Sequence, residues 1–276
     1  MSTWLITGCS SGLGAALAEA VLEHGDKLVA TARDRTRVEH LEHSRPDAAL
    51  ALSLDVTDRA QVVEAIRAAE DRFGRIDVLV NNAGYGYRAA VEEGEDEDVR
   101  RLFATNFFGA VAMIQAVLPG MRARRAGKID DISSIGARVS PPGSGFYSAT
   151  KAALEAMTAS LRKEVEPLGI TAMVVEPGAF RTDFAGRSLH QSDIAIDDYA
   201  DTAGRRHKEN DASDGTQPGD PGKAAEAIIA AVESPEPPFM LVLGPDALER
   251  FREAQTGLDA DLDAWEGLGA GTSFTE

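Results

Sequence analysis

Tyr147 and Lys151 stand four residues apart in FYSATKAALEAM, a stretch whose apolar period predicts a helix, so a phenol and an ammonium share one face. A phenol so placed is the natural proton donor to a carbonyl that is receiving a hydride. Ser134 lies thirteen residues upstream, at the end of the preceding apolar strand, where strand end and helix start can face one cavity. A second cluster sits near the N-terminus. Gly8-Cys9-Ser10-Ser11-Gly12-Leu13-Gly14 follows a short apolar strand and opens a helix. Glycine removes the Cβ where backbone must turn tightly or approach a pyrophosphate, and the helix start supplies free N–H groups. Placed after the first strand, the loop reads as a dinucleotide site. Asn81-Asn82-Ala83-Gly84 follows the strand VLV, and its amides can tie neighbouring backbone together, although alone it reads first as a polar turn. Asp55-Val56 ends another strand. That carboxylate either accepts from an adenine amine or caps the next helix, and the residues leave both open.

The elements that must position these groups follow from hydrophobic period. Short β-rich runs (LIT, LVATA, ALALSL, IDVLV, 128–133, 170–175, 239–243) alternate with amphipathic stretches at 12–24, 34–44, 58–73, 96–124, 147–165 and 220–233. This alternation predicts an α/β fold, a doubly wound parallel sheet with helices on both faces, whose ligand sits beyond the carboxyl ends of the strands. Two regions break the pattern. EEGEDED at 92–98 reads as a solvated helix start whose acids suit the positive end of the helix dipole. The segment from about 179 to 222 reads as a mobile lid, apolar in its first half and polar in its return. One catalytic domain over 1–255 and an acidic helical tail over 256–276 are expected.

With 276 residues, 43% hydrophobic and 26% charged, the chain can bury a sizeable core in one large domain, which excludes collagen-like and disordered classes. The net charge of −17 opposes binding to nucleic acid or anionic lipid. No apolar run appears long enough for a membrane helix, and the N-terminus reads as a strand and not as a signal peptide, so a cytoplasmic location is expected. Cys9 is the single cysteine and the five histidines are scattered. His40 and His43 share a helix face, but a solvated pair outweighs a metal site, and no metal is expected.

Taken together, these motifs resemble the short-chain dehydrogenase/reductase family in its shorter single-domain branch, over nearly the whole chain. TGCSSGLG is similar to the family's cofactor loop, NNAG to its strand-four motif, and Ser134, Tyr147 and Lys151 to its catalytic set, with Asn106 in TNFFG as fourth member. Pro177, Gly178 and Thr182 in EPGAFRT resemble the segment that holds the nicotinamide carboxamide. The resemblance implies a Rossmann-type sheet of about seven strands and hydride transfer between a nicotinamide and a carbonyl or alcohol carbon. In that scheme Tyr147 is general acid or base and Lys151 stabilises its phenolate and holds the nicotinamide ribose. Ser134 donates to the substrate oxygen, and Asn106 anchors a water leading to Lys151. A homodimer or homotetramer, paired through the helices near 100–120 and 147–165, is implied as well.

NAD-preferring relatives place an acid where Ala32 stands. Here Arg33 follows, and it can pair with a 2′-phosphate, so NADP(H) is favoured and NAD(H) is the alternative. Asp34 beside it and the non-basic Ser11 weigh the other way. The small-molecule pocket is expected from residues 85–88, Gly136, Ala137, Arg138, Val139, Phe146, Phe180 and Phe184, a mainly apolar lining that suits an apolar ketone, aldehyde or secondary alcohol. Arg88 and Arg138 read as anion contacts or, more simply, as solvated side chains. A non-catalytic NADP(H) sensor is the rival class, but it predicts loss of the catalytic residues, which are all present. A sugar epimerase would need a larger C-terminal domain. Asp130 stands in KIDDISS where the family has an apolar residue, which implies an arginine partner, a wet strand edge, or an altered and weakening residue.

Overall fold

The computed structural model describes residues 1–182, 188–212 and 215–274. Its elements run β1 (Thr3–Ile6), α1 (Gly12–Glu23), β2 (Lys27–Ala32), α2 (Glu39–Ser44), β3 (Ala49–Ser53), α3 (Arg59–Phe73), β4 (Val78–Asn81) and β5 (Gly86–Arg88). There follow α4 (Asp96–Phe103), α5 (Ala110–Arg124), β6 (Gly127–Ile132), α6 (Gly136–Val139), α7 (Gly145–Val165) and β7 (Ile170–Pro177). The chain ends with β8 (Leu189–Gln191), α8 (Arg205–Ala212), α9 (Pro221–Glu233), β9 (Met240–Leu243) and α10 (Pro245–Ala270). Seven strands form one parallel sheet in the order β3-β2-β1-β4-β6-β7-β9. The order reverses between β1 and β4, which opens a crevice at their carboxyl ends.

Strand alternation sorts the core into two layers. Trp4 and Ile6 of β1 pack with α1 and α9 on one face, whereas Leu5 packs with α3 and α5 on the other. Helix starts follow the chemistry of their caps: the Asp58 carboxylate accepts from the N–H groups of Ala60 and Gln61, and that of Asp220 from Gly222 and Lys223, just before Pro221 takes the first helical position. The cap of α3 is thus Asp58 and not Asp55. Asp55 instead accepts from the N–H and hydroxyl of Thr57 at 2.9 and 2.7 Å.

The structure corrects four expectations. First, Asp96–Arg124 is a near-continuous helical span, long enough and apolar enough by composition to cross a membrane. Its uncharged stretch was missed because the Thr105-Asn106 pair interrupts the apolar letters. Leu102, Met113 and Met121 of this span are fully buried in the protein, as befits a core helix. Second, EEGEDED is only half a solvated helix start. Asp96, Glu97 and Asp98 do occupy the first turn of α4, but Glu93 is buried and accepts from the N–H groups of Ala90 and Ile196.

Third, that carboxylate and its neighbours dock residues 189–211 of the expected lid. β8 pairs with β5, Ser192 donates to the Glu93 carbonyl at 2.6 Å, the Tyr199 hydroxyl donates to Glu92, and Arg88 pairs with Asp211 at 2.5 Å. Fourth, Asp130 has neither an arginine partner nor a wet edge among the described residues. It lies on an interior strand between Val80 and Met173, 2% exposed, with Oδ2 unpartnered. Burial and the neighbouring Asp131 push its carboxyl well above the usual range, toward the protonated acid. Helix α10 runs from Pro245 to Ala270 and so spans residues 255–256 without a break.

Candidate active site

The crevice is a cleft of about 730 Å³. Its floor is built by β1, β4 and β6, whose last residues run directly into polar loops. Gly8 and Gly12 hold φ of 74° and 65°, a region that costs most other residues roughly 1–2 kcal/mol. A Cβ on Gly14 would lie 2.2 Å from the Asn82 amide nitrogen. Asn82 explains the crowding: its amide donates to the carbonyls of Thr7 and Gly8 at 2.8 and 3.0 Å, and so staples the glycine loop to the NNAG turn. Ser11 precedes α1 without a side-chain cap bond, which leaves the first-turn N–H groups directed at the cleft. Gly8, Ser10, Ser11, Gly12 and Leu13 line it; so do Ala83, Gly84, Pro177, Gly178, Phe180 and Thr182. Gly14 is buried behind them. This open-backed loop and bare helix start fit the pyrophosphate of a dinucleotide.

Arg33, Asp55 and Val56 line the far end of the cleft, at the carboxyl ends of β2 and β3. Asp34 is turned away: its Oδ1 accepts from the N–H and hydroxyl of Thr36, which lowers its pKa. Arg33 is exposed beside it.

At the other end, Ser134 leaves β6 and Tyr147 and Lys151 project from the first turns of α7. The Tyr147 phenol hydrogen-bonds to Ser134, and Ser134 Oγ also accepts from Gly136 N–H at 3.0 Å. Burial pushes Tyr147 up to about 12, with the Ser134 bond acting against it. Lys151 Nζ donates to the Ile132 carbonyl at 2.7 Å and lies 5.8 Å from the centre of the Tyr147 ring. Burial lowers Lys151 to about 8, while Asp131 and Glu155 hold it up. Asp131 accepts from Asn81 and Thr158 at 2.8 and 2.6 Å, tying β4, β6 and α7 together behind the lysine.

Asn106 sits in a π-turn, Ala104–Gly109, that interrupts the α4–α5 helix, a distortion common at functional sites. The wider turn aims its amide at Tyr85, donating to the carbonyl at 2.9 Å and accepting from the N–H at 3.0 Å. A Cβ on Gly84 would lie 3.1 Å from Asn106 Oδ1 and 3.5 Å from Lys151 Nζ, so these three converge.

The expected substrate residues divide. Tyr85, Gly86, Tyr87 and Arg88 line the cleft with Phe180, and Gly136 lies directly behind Ser134 and Tyr147. Phe184 falls outside the described residues. Phe146 packs instead against Tyr87, and Arg138 faces away, bridging the buried carboxylates of Glu155 and Glu176 at 2.7 and 3.1 Å. Burial and the adjacent Glu155 push Glu176 up to about 7. Neither Arg88 nor Arg138 is a free anion contact, since each already holds a carboxylate.

Leu189, His190 and Arg101 line the cleft as well and were not foreseen. Only the fold brings His190 edge-on to Tyr85, 5.1 Å between ring centres. His40 and His43 are exposed on α2. His24, Asp26 and Glu233 cluster at the opposite surface, where Asp26 already accepts from Ser2 N–H and the Trp4 indole. Burial pushes the Cys9 thiol up to about 12, which makes it inert.

Comparison with known proteins agrees with this geometry. The short chain dehydrogenase family model matches residues 2–193. Oxidoreductase BOA17 of Botryotinia fuckeliana is 38% identical over 266 residues, 96% of this chain and 97% of its own. A 3-ketodihydrosphingosine reductase of Bacteroides thetaiotaomicron is 38% identical over 261 residues, 94% and 93% of the two chains. The crystal structure of a short-chain dehydrogenase from Streptomyces avermitilis superposes with a TM-score of 0.93 at 40% identity, covering 99% of this chain and 100% of that one. An alcohol dehydrogenase from Thermococcus sibiricus, complexed with 5-hydroxy-NADP, aligns at 26% identity and TM-score 0.72 over 88% of this chain and 95% of its own. A 3-ketoacyl-(acyl-carrier-protein) reductase from Brucella melitensis, complexed with NADH, does so at 27% and 0.71 over 88% and 96%. With its sheet order, glycine loop and Ser134–Tyr147–Lys151 cluster in place, the chain belongs to the short-chain dehydrogenase/reductase family of NAD(P)-dependent oxidoreductases.

Proposed function

We propose that the protein interconverts a carbonyl and an alcohol on a largely apolar small molecule, with NADP(H) as the preferred coenzyme. The observation that carries this reading is the half-buried Tyr147–Ser134 pair with the buried Lys151 beneath it, opening on the same cleft as the glycine loop.

The glycine loop and α1 N-terminus would hold the pyrophosphate, and Pro177, Gly178 and Thr182 the nicotinamide end. A nicotinamide bound there supplies or accepts the hydride. The remaining chemistry belongs to the chain. Ser134 donates to the substrate oxygen as negative charge gathers on it. Tyr147, kept protonated by burial, gives its proton to that oxygen, which suits the reduction direction. Lys151, cationic below about pH 8, stabilises the phenolate left behind, and Asn106 orients the turn above Lys151 and anchors water for proton return.

Three features support NADP(H) over NAD(H). Ala32 offers no carboxylate for a ribose hydroxyl, Arg33 is exposed at the cleft, and the Asp34 carboxylate is engaged by Thr36. The apolar and aromatic cleft wall around Tyr85, Phe180 and Leu189 supports an apolar substrate, and the Bacteroides relative bears the name of a reductase of a keto compound. The test is a thermal-shift comparison of NADPH with NADH, followed by a ketone, aldehyde and alcohol panel read by reduced-coenzyme absorbance. A larger NADPH shift and turnover of apolar ketones are expected. An equal or larger NADH shift removes the coenzyme assignment, and coenzyme binding without turnover of any carbonyl or alcohol removes the reaction.

A further inference from the structure

Helix α10 starts on the body and leaves it. Ala247 is buried and Phe251 lies half-buried under the Arg138 guanidinium, 5.7 Å from the ring centre. Every described residue from 255 onward is exposed. Yet the apolar stripe does not stop where the body does. Leu258, Leu262, Trp265 and Leu268 continue it, each 64–70% exposed. At 3.6 residues per turn they fall on the same side of the helix as Leu248, Phe251 and Ala254. Scattered exposed leucines need no explanation, but a tryptophan and three leucines in line on a bare helix do.

The spacing of the stripe is symmetric about Leu258. Ala254 and Leu262 lie four residues to either side, Phe251 and Trp265 seven, and Leu248 and Leu268 ten. Two copies of α10 laid antiparallel with Leu258 on the two-fold axis therefore set each apolar residue level with another. Phe251 meets Trp265 of the second copy, and Ala254 meets its Leu262, a large residue against a small one. Such self-complementarity is what an isologous interface requires. Charge selects the same direction. Arg250 and Arg252 are the last basic residues of the chain and stand among Asp246, Glu249 and Glu253, whereas the free half carries only acids, Asp259, Asp261, Asp263 and Glu266. Antiparallel pairing sets Arg250 level with Glu266 of the second copy, whereas parallel pairing in register would set the all-acidic free halves against each other. The acidic flank likewise opposes docking on anionic lipid.

We infer that α10 is a dimerisation arm that pairs antiparallel with the same helix of a second copy, centred on Leu258.

The test uses the full chain in two measurements. By light scattering after size exclusion, the mass of the wild type halves in the Leu262→Asp/Trp265→Asp variant, while that variant keeps the wild-type melting temperature within the scatter of the assay. Under mild oxidation, Leu258→Cys forms an interchain disulfide. Leu268→Cys does not, because its two copies would stand about 30 Å apart. The native Cys9 is buried and cannot contribute. A wild type of 29.3 kDa, an unchanged mass in the double variant, or cross-linking through position 268 in preference to 258 would each overturn the arm. A monomeric wild type that sediments with phosphatidylcholine vesicles would assign the stripe to lipid, and equally overturn it.

Discussion

At the scale of single residues, the site works by what burial does to protons. Tyr147 is held at about 12 and Lys151 at about 8, so at neutral pH the phenol keeps its proton and the lysine its charge. As pH rises through about 8 the lysine loses its charge, which in the proposed mechanism stabilises the departing phenolate. Carbonyl reduction, followed as kcat/KM against pH, is therefore expected to be flat below that point and to fall above it; a rate that climbs across pH 8 would contradict the roles. Arg33 offers a second test. If it holds a 2′-phosphate, Arg33→Ala loses a charge-assisted bond worth about 1.5–3 kcal/mol, or roughly 10- to 100-fold in NADPH affinity by titration calorimetry, with NADH affinity unchanged. Equal losses for both coenzymes would remove the phosphate contact. The main residues of the site were legible because loop and helix chemistry places them at strand ends. His190 and Arg101 were not, since nothing in their local sequence marks them and only the packing of β8 on β5 and the turn of α4 bring them to the cleft.

At the scale of elements, β6 carries an expense that the sequence announced and the fold makes concrete. Asp130 lies between Val80 and Met173, where burial favours its protonated form. Its folded pKa lies above its unfolded value, so the native state retains a proton that the unfolded chain releases. Stability from this residue accordingly falls as pH rises from about 4 toward its raised pKa. Asp130→Val should raise the melting temperature, by about 2–4 °C for each kcal/mol regained, and the gap from wild type should widen as pH rises above the usual carboxylate range. No increase, or a gap independent of pH, would show the acid is not strained. The 179–222 segment gives the opposite lesson. Its sequence reads as mobile because its anchors, Arg88, Glu92 and Glu93, lie about a hundred residues away and look like surface charge. Arg88→Ala should loosen it by about 1 kcal/mol, since Asp211 is largely solvated, seen as faster amide exchange over 188–212 with the main sheet unchanged. Unaltered exchange there would mean the pair holds nothing.

At the scale of the whole molecule, the parallel sheet, its two apolar layers and the crevice where strand order reverses were all readable from alternating period, because buried parallel strands and amphipathic helices leave strong local signals. Long-range pairings left none. The Arg138 link to Glu155 and Glu176, the β5–β8 ribbon and the course of α10 beyond the body are products of topology. What the fold achieves is to bring a glycine-rich loop, a half-buried phenol and a lysine to one side of one sheet. The most direct test is Tyr147→Phe, measured for coenzyme affinity and for turnover in the same preparation. Removing only the hydroxyl should leave affinity unchanged and lower turnover by about 10²- to 10⁴-fold. Turnover close to that of the parent would contradict the assignment of Tyr147 as the proton donor.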